Sequence, residues 1–390
     1  MASIKLKGDT SGEVTIQAPS VAGTTTLNLP ATSSTLATQN ALGVRNLIIN
    51  GDMMIDQRNA GASATSNVNA YMTDRFQLQM GSVTNVQTYQ QVGDAPAGFN
   101  KSLKITSNST TQATAAGVLC TPRQKIEGFN TAHLNWGTAN AQTVTVSFWV
   151  KASVTGTYPV SLTNNGFARS FVTNYTVSVA NTWEYKTVTI AGDTSGTWTI
   201  DNSTGINVMF SLDTGSTYQT TADSWQAGNY RGTSSDVHFL ANASATWQIT
   251  GVQLEANTTA TPFEHRPYDM ELERCKRYCY VLESTSVTGR QTICSACSHA
   301  TTAGIGFLQL PVEMRALPSL SLSAVGDWAV HLPGVNRSQL TALALGANGD
   351  QKSLYITFSH ATHTSYGSAK YVFIDTWISG TGQFILSAEL

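Results

Sequence analysis

The chain is 390 residues long, 41% hydrophobic but only 12% charged, with 22 basic against 24 acidic residues and a net charge of -2. That length allows two or three domains, each with its own core. The near-neutral balance carries no electrostatic footprint for DNA, RNA or an anionic membrane, and the abundance of Thr, Ser, Asn, Gly and Ala suits β-structure with uncharged polar faces better than a helical enzyme.

The N-terminal MASIKLKGDT has no apolar run that could act as a signal h-region, and no later window reaches bilayer-spanning length. The chain is therefore expected to be soluble, not exported by a cleaved signal, and without membrane insertion. Five cysteines, Cys120, Cys275, Cys279, Cys294 and Cys297, are too few and too uneven for a disulfide framework, so a reducing site of synthesis is expected.

In chain order, Ile4 and Leu6, then Val14 and Ile16, then Leu27 and Leu29 alternate with polar neighbours, which predicts three short strands, the first two joined by the turn GDTSG. Strands this short bury too little apolar mass to fold alone, so residues 1–45 are expected to pack against another protein or against copies of themselves. Residues 31–45 are a small polar connector with a short helix predicted near 39–42. NLIINGDMMIDQRNAG follows at 46–61, two apolar runs hinged on Asn50-Gly51, a strong hairpin signal. YMTDRFQLQM at 71–80 alternates as another strand.

From Ser102 onward, strands separated by Gly, Asn, Asp and Ser turns recur at regular intervals, GTWTIDN among them, a spacing that predicts a β-sandwich or jelly roll ending in ITGVQLEA. In 143–151 the faces separate, with Val144, Val146, Phe148 and Val150 on one side and Thr143, Thr145, Ser147 and Lys151 on the other; Trp149 shares the polar side, which places it in a groove or under a loop. After TPFEHRP, whose prolines restrict the residues before them, Asp269 is the expected N-cap of the one convincing helix. Beyond Tyr280 the strand pattern returns.

The run NLIINGDMMIDQRNAG, then YMTDRF, RQKIEG, TVTVSFWVKAS, NTWEYKTVTIAGDTSGTW and ITGVQLEANTTATPFEHRPYDMELERCKRY resembles bacteriophage tail-fibre and virion-fibre proteins over roughly 46–280. The resemblance implies a jelly roll similar to carbohydrate-binding modules behind an N-terminal attachment segment; TTTLNLPATSSTLAT, LPVEMRALPSLSL and SAEL are shorter matches to the two ends of such fibres. The resulting expectation is an all-β chain: a short-strand attachment segment at 1–45, a jelly-roll β-sandwich at 46–268, a linking helix at 269–280 and a C-terminal β-sandwich at 281–390. The resemblance further implies a homotrimeric structural protein located in the virion, as tail or capsid fibre, made in the host cytoplasm. It would be bound to phage tail or capsid proteins through residues 1–45 and recognise a host cell-surface glycan. The alternatives are a virion polysaccharide depolymerase and a decoration fibre without ligand.

No catalytic constellation is present: there is no G-x-S-x-G, H-E-x-x-H or P-loop pattern, and Asp56, Asp74, Asp193, Asp201, Asp213 and Asp223 sit where turn residues sit. No cofactor is called for. Cys275-x3-Cys279 and Cys294-x2-Cys297, with His265 and His299 nearby, would supply four zinc ligands only if both pairs faced one point; the first pair is placed on a helix and the second on opposite faces of a strand, so they are assigned as buried free thiols, with a zinc site and a disulfide as the alternatives.

Sugars are bound by aromatic faces with amides, Arg and carboxylates reaching the hydroxyls. The richest stretch is 214–236, so Tyr218, Trp225, Asn229, Tyr230 and Arg231 are the candidate glycan-binding residues, against the alternative that Trp225 and Tyr230 fold back as a lid on the sandwich. Trp149, Trp183, Trp198 and Trp247 lie in strands and are assigned to the core. A second candidate surface is His331, Tyr355, His360, His363, Tyr366 and Trp328; His360 and His363 alone make no metal site. Arg266, Arg274 and Arg277, around the linking helix, are the expected subunit contacts.

Overall fold

A computed structural model describes residues 3–7, 11–17, 45–108, 115–283, 292–332, 337–361, 370–377 and 382–390. The chain forms two compact units, Met1–Gly43 and Val44–Leu390. In the first, Ser3–Lys7 pairs antiparallel with Glu13–Gln17 in the register Lys5 to Thr15, and Lys5 donates to Glu13 at 2.6 Å in an exposed pair. The strand expected at Leu27 and Leu29, and the connector helix, lie outside the described residues.

The second unit begins with two packed antiparallel sheets. One runs Ser224–Ala227, Arg169–Val177, Gly156–Thr163, Thr204–Phe210, Leu119–Glu127, Phe76–Gly81, Ala70–Tyr71, with Asp213–Thr214 beside Leu119–Glu127. The other runs Glu184–Ile190, Val144–Ala152, Thr246–Glu255, Ser102–Ser107, Gln87–Val92, Ala64–Ser66. Their inner faces enclose Phe76, Phe148, Tyr158, Phe210 and Trp247, all buried. This is the β-sandwich that the alternating pattern implies. GTWTIDN is not a strand: its backbone is irregular, and Trp198 there packs edge-on against Trp136 with centroids 4.7 Å apart.

The expected hairpin at 46–61 also differs. The turn is present, with Asn50 at φ 60 and Met53 N–H donating to Asn50 O at 3.0 Å, but the flanking runs are not strands. They form a buried plug whose backbone groups are satisfied by side-chain amides. Asn50 Nδ2 donates to Ile55 O and Asp74 O at 2.8 and 3.0 Å, and Gln124 both accepts from Ile49 N–H and donates to Ile49 O. Such partners let an irregular segment be buried without orphaned polar groups. Gly51 is required because a β-carbon there would lie 2.1 Å from Val252 O.

The helix is Tyr268–Lys276, with Pro267 at its N-cap; Asp269 lies in its first turn and is not the cap, and Cys279 and Tyr280 already belong to the strand Cys279–Glu283. Acids in the first turn and Arg274 and Lys276 in the last complement the helix dipole. Beyond it, the all-β pattern continues, but the strands do not form the expected C-terminal sandwich. Thr292–Ser298, Ala303–Gln309, Ser353–His360, Ser338–Leu345, Trp328–His331 and Lys370–Thr376 close into a barrel, beside a three-stranded sheet of Cys279–Glu283, Gln383–Ser387 and Ser319–Leu322. Closure follows because Thr292–Ser298 pairs on both edges, with Ala303–Gln309 and with Lys370–Thr376, leaving no edge strand. Gly304, where a β-carbon would meet Phe358 at 2.3 Å, gives that ring room inside.

One polar network ties the C-terminal segment, the end of the helix and the sandwich together. Arg75, 2% exposed, ion-pairs with Glu389, 4% exposed; it also donates to Lys125 O and stacks its guanidinium 3.5 Å over the Tyr278 ring. Tyr278 donates to Glu127 Oε2 at 2.6 Å, and Arg277 clamps the same carboxylate through Nε and Nη2 at 3.0 and 2.6 Å. Arg315 donates to Ala388 O, Glu389 O and Asn202 O. Removing one partner of a buried pair leaves the other uncompensated, a loss of about 3–5 kcal/mol. Glu389→Ala is therefore expected to lower the unfolding free energy by that order in a denaturant titration followed by tryptophan fluorescence; a loss below about 1 kcal/mol would show that the pair is not what holds the strands here.

Burial, with Arg123, Arg75 and Arg315 nearby, lowers the Lys125 ammonium to about 8. The unfolded chain still holds that proton up to the ordinary lysine range, so stability should rise as pH climbs from about 8 towards about 10. Denaturant titrations across this window should show the rise in the native protein and its loss in Lys125→Met; identical pH profiles would refute the assignment.

Candidate functional site

The outward face of the six-stranded sheet carries a row of rings. In Val144–Ala152, Phe148 and Val150 are buried inward, so the period of two turns Trp149 and Lys151 outward. Tyr185 stands opposite Trp149 on the next strand, rings 5.3 Å apart and tilted 47°, and is 44% exposed. On the other side Trp149 faces Thr250, after which the register shifts before Gln253. Gly251 occupies this bulge at φ +62, and a β-carbon there would lie 2.7 Å from Phe99 Cζ and 3.2 Å from Trp149 Cδ1. The glycine is thus a floor between two rings. Phe99 continues to Phe263 at 5.1 Å and to His265 at 5.3 Å, which lie 4.9 Å from each other.

Polar groups border this row. Lys151 Nζ donates to Asp94 at 2.8 Å and Trp183 Nε1 donates to the same carboxylate at 3.3 Å. The Lys151 hydrogen bond holds the Asp94 carboxyl below its ordinary range. Gln248 lies in register with both Lys151 and Lys104. At the far end, Phe99, Asn100, His265, Tyr268 and Asp52 line a cavity of about 180 Å³. Burial, and then the charge of Glu271, raises the Asp52 carboxyl. The arrangement offers apolar ring faces in sequence, with amide, ammonium and carboxylate groups alongside.

The residues expected from 214–236 do not form one site. Arg231 is buried: Nε and Nη2 hold Asn229 Oδ1 at 3.2 and 2.8 Å, Nη1 bonds Gln79, and the guanidinium covers the Phe167 ring at 4.5 Å and the Tyr218 ring at 5.6 Å. It is a structural cation with its donors already engaged. Tyr230 N–H donates to Ser170 Oγ, and its ring covers Gly228. Trp225 lies apart from these, wedged among Trp136, Trp198 and Phe171 with its indole N–H on Ala191 O, as in the lid alternative. Arg266 and Arg277 are likewise engaged within the chain. Arg266 is paired with Glu271 at 3.1 Å and donates to Ile48 O and Asn46 O, and Arg277 is paired with Glu127. Arg274 is half-buried, with its guanidinium lowered by that burial and by Arg266.

Of the tryptophans assigned to the core, Trp247 is there, and Trp198 packs against it. Trp149 and Trp183 are on the outside, and the sequence held the signal: Trp149 shares the polar phase of its strand. In the barrel Trp328 and His360 are buried, while His331 and Tyr355 lie on its partly exposed surface; His363 and Tyr366 lie outside the described residues. Most of the acids considered as a catalytic pair accept bonds from within the fold. Asp193 takes a two-pronged bond from Arg169, Asp74 accepts from Gln57 N–H at 2.9 Å, Asp213 from Leu240 N–H and Asp201 from Ser203 N–H. Among the described residues no three His, Cys, Asp or Glu side chains gather as metal ligands would, and all five cysteines are unpaired.

No protein-family model matches the chain, and no curated protein matches it in sequence. Solved structures similar to part of it include the enzymatically active domain of tailspike protein 4 of bacteriophage CBA120 (12% identity, 54% of this chain and 21% of that one, TM-score 0.28). Others are the module TmCBM61 in complex with β-1,4-galactotriose (10% identity, 55% and 100%, TM-score 0.29) and a family 11 carbohydrate-binding module from Clostridium thermocellum in complex with a β-1,3-1,4-mixed-linked tetrasaccharide (13% identity, 54% and 96%, TM-score 0.24). The chain thus spans about a fifth of the tailspike chain's length. At these scores the likeness carries no argument about function.

Any side chain at position 251 must adopt a left-handed backbone, costing about 1–2 kcal/mol, and must displace Phe99 or Trp149. Gly251→Ala should lower stability by that order and alter the near-ultraviolet circular dichroism of the rings; an unchanged spectrum would mean that the two rings do not depend on the bulge.

Proposed function

We propose that this chain is a non-enzymatic fibre protein of a bacteriophage virion, attached to the particle through residues 1–45, that adsorbs to a host-surface glycan along the row Tyr185, Trp149, Phe99, Phe263 and His265. The virion role rests on the ordered motifs of 46–280, and the glycan role rests on the row. The observation that carries it is that five rings follow one another on an outward sheet face instead of packing into the core. Stacking on successive sugar units uses ring faces, while Lys151 and Asp94 stand beside the row to meet hydroxyls. A surface of this shape recognises an extended segment of polysaccharide rather than one buried unit.

The test is binding of purified protein to a glycan array and to host capsule or lipopolysaccharide, with titration of the best ligand. Trp149→Ala and Tyr185→Ala should each weaken binding about tenfold, equivalent to ~1.4 kcal/mol, with the fold intact by circular dichroism. Binding unchanged in both variants would remove the row from recognition, and release of reducing ends from capsule or lipopolysaccharide would favour the depolymerase instead.

A further inference from the structure

A second cavity lies away from the ring row, at the end of the sandwich where residues 131–138 meet the loop 198–200. It has a volume of about 280 Å³ and is lined by Trp136, Trp198, Asn135, Thr138, Thr199 and Ile200 among others, none of them ionisable. Trp136 and Trp198 meet edge to face at 81°. Both indole N–H groups are already engaged, Trp136 with Gln142 O at 2.7 Å and Trp198 with Ser195 O at 3.1 Å, so the indoles offer the cavity ring carbon and no free donor. Trp225 backs them both, at 5.4 and 5.5 Å. The walls are set by backbone approach: Gly137, at φ +85, would place a β-carbon 2.7 Å from Gly196 O and 3.2 Å from Trp198 Cδ1. Ile200, 65% exposed, stands at the rim with Thr199 and with Asn135 and Thr138, of which Asn135 Nδ2 donates to His133 O at 3.1 Å and the Thr138 hydroxyl donates to Asn135 O at 2.7 Å.

We infer that this cavity is a separate binding site for a single neutral pyranose unit, such as a terminal or branch sugar. The inference rests on the reading that the chain takes glycans. Two indoles at right angles cover one ring face and one edge of a small ligand, and the side-chain oxygen of Asn135 and the hydroxyl of Thr199 meet its polar edge. The lack of any ionisable lining group disfavours a uronic acid or an amino sugar, whose charge would be desolvated without a partner. The volume suits one ring and not a chain, which distinguishes this site from the open row on the sheet face. Trp225 acts here as a brace to the pocket.

The test uses the full chain with methyl β-D-glucopyranoside and methyl β-D-galactopyranoside as neutral probes and glucuronic acid as the charged control, followed by saturation-transfer NMR. The best oligosaccharide from the array is titrated in parallel. At least one neutral probe should bind and glucuronic acid should not. Trp198→Ala should abolish the neutral signal, and Ile200→Glu, at an exposed rim position that spares the core, should weaken it at least tenfold. The double variant Trp149→Ala/Tyr185→Ala should keep it while losing the oligosaccharide. A monosaccharide signal lost in that double variant and untouched by Ile200→Glu would overturn the second site and leave the row standing. Binding of neither monosaccharide nor oligosaccharide to the native protein would overturn both. A monosaccharide signal sensitive to Ile200→Glu with no oligosaccharide binding would support the pocket and overturn the row.

Discussion

The ion pair of Arg75 with Glu389 is the constraint from which most of the second unit follows. A guanidinium this deeply buried must be neutralised or it costs several kcal/mol, and its counter-charge comes from the far end of the sequence. The final segment therefore has to return to the sandwich. In returning, it sets Ala388 N–H on Tyr278 O and brings Arg315 onto the carbonyls of Ala388 and Glu389. Tyr278 is held between the Arg75 guanidinium and Glu127, and Arg277 takes up the remaining capacity of that carboxylate. The sandwich, the end of the helix and the C-terminal segment meet in one polar network, in which Arg75 and Arg277 are paired with carboxylates and Arg315 is held by carbonyls.

This network also gives the ordered motifs of the sequence a physical meaning. Asn46, Asn50, Gln57 and Arg58 of the first motif, Asp74 and Arg75 of YMTDRF, Glu127 of RQKIEG, and Arg266, Glu271 and Tyr278 of the last all bond within it or beside it. Sequence reasoning identified these motifs together but assigned Arg266 and Arg277 to a subunit interface. The reason is that the partners of Arg266 include Asn46 and Ile48, more than two hundred residues away in sequence, and no local pattern displays such a pairing. The same holds for the plug at 46–56. Two apolar runs around Asn50-Gly51 look like a hairpin when only local turn chemistry is considered, whereas the backbone there is satisfied by the amides of Asn50 and Gln124.

Strands were legible wherever period-two alternation met a buried face, as in Val144–Ala152 and Thr246–Glu255. The barrel was not, because alternation gives the inward and outward faces of a strand but says nothing of which strands close on each other. The ring row was half legible. The phase of Trp149 set it on the polar side of its strand, whereas Trp183 was assigned to the core and Tyr185 was not singled out; Phe99, Phe263 and His265 arrive from loops, where no periodicity signals a direction. The aromatic-rich stretch 214–236 was the more conspicuous feature, yet its arginine is occupied by the rings of Tyr218 and Phe167, and its Trp225 packs against Trp198.

The ring row and the polar network share one piece of chain. Phe263 and His265 lie in the segment that leaves the last strand of the sandwich, and its neighbours are fixed on both sides: Glu264 N–H donates to Gln253 Oε1 at 2.9 Å, Glu264 accepts from Asn46 N–H at 2.7 Å, and Arg266 is held by Glu271. Phe99 is fixed against the same two rings, and Trp149 against Phe99 through Gly251. A ligand lying along the row would meet side chains whose rotamer freedom was already lost on folding, so little ordering cost remains at binding. On the proposed reading, the buried charges at the junction act on recognition indirectly. They fix the segment carrying Phe263 and His265, and loosening that segment would cost affinity at the far end of the row without removing any contact.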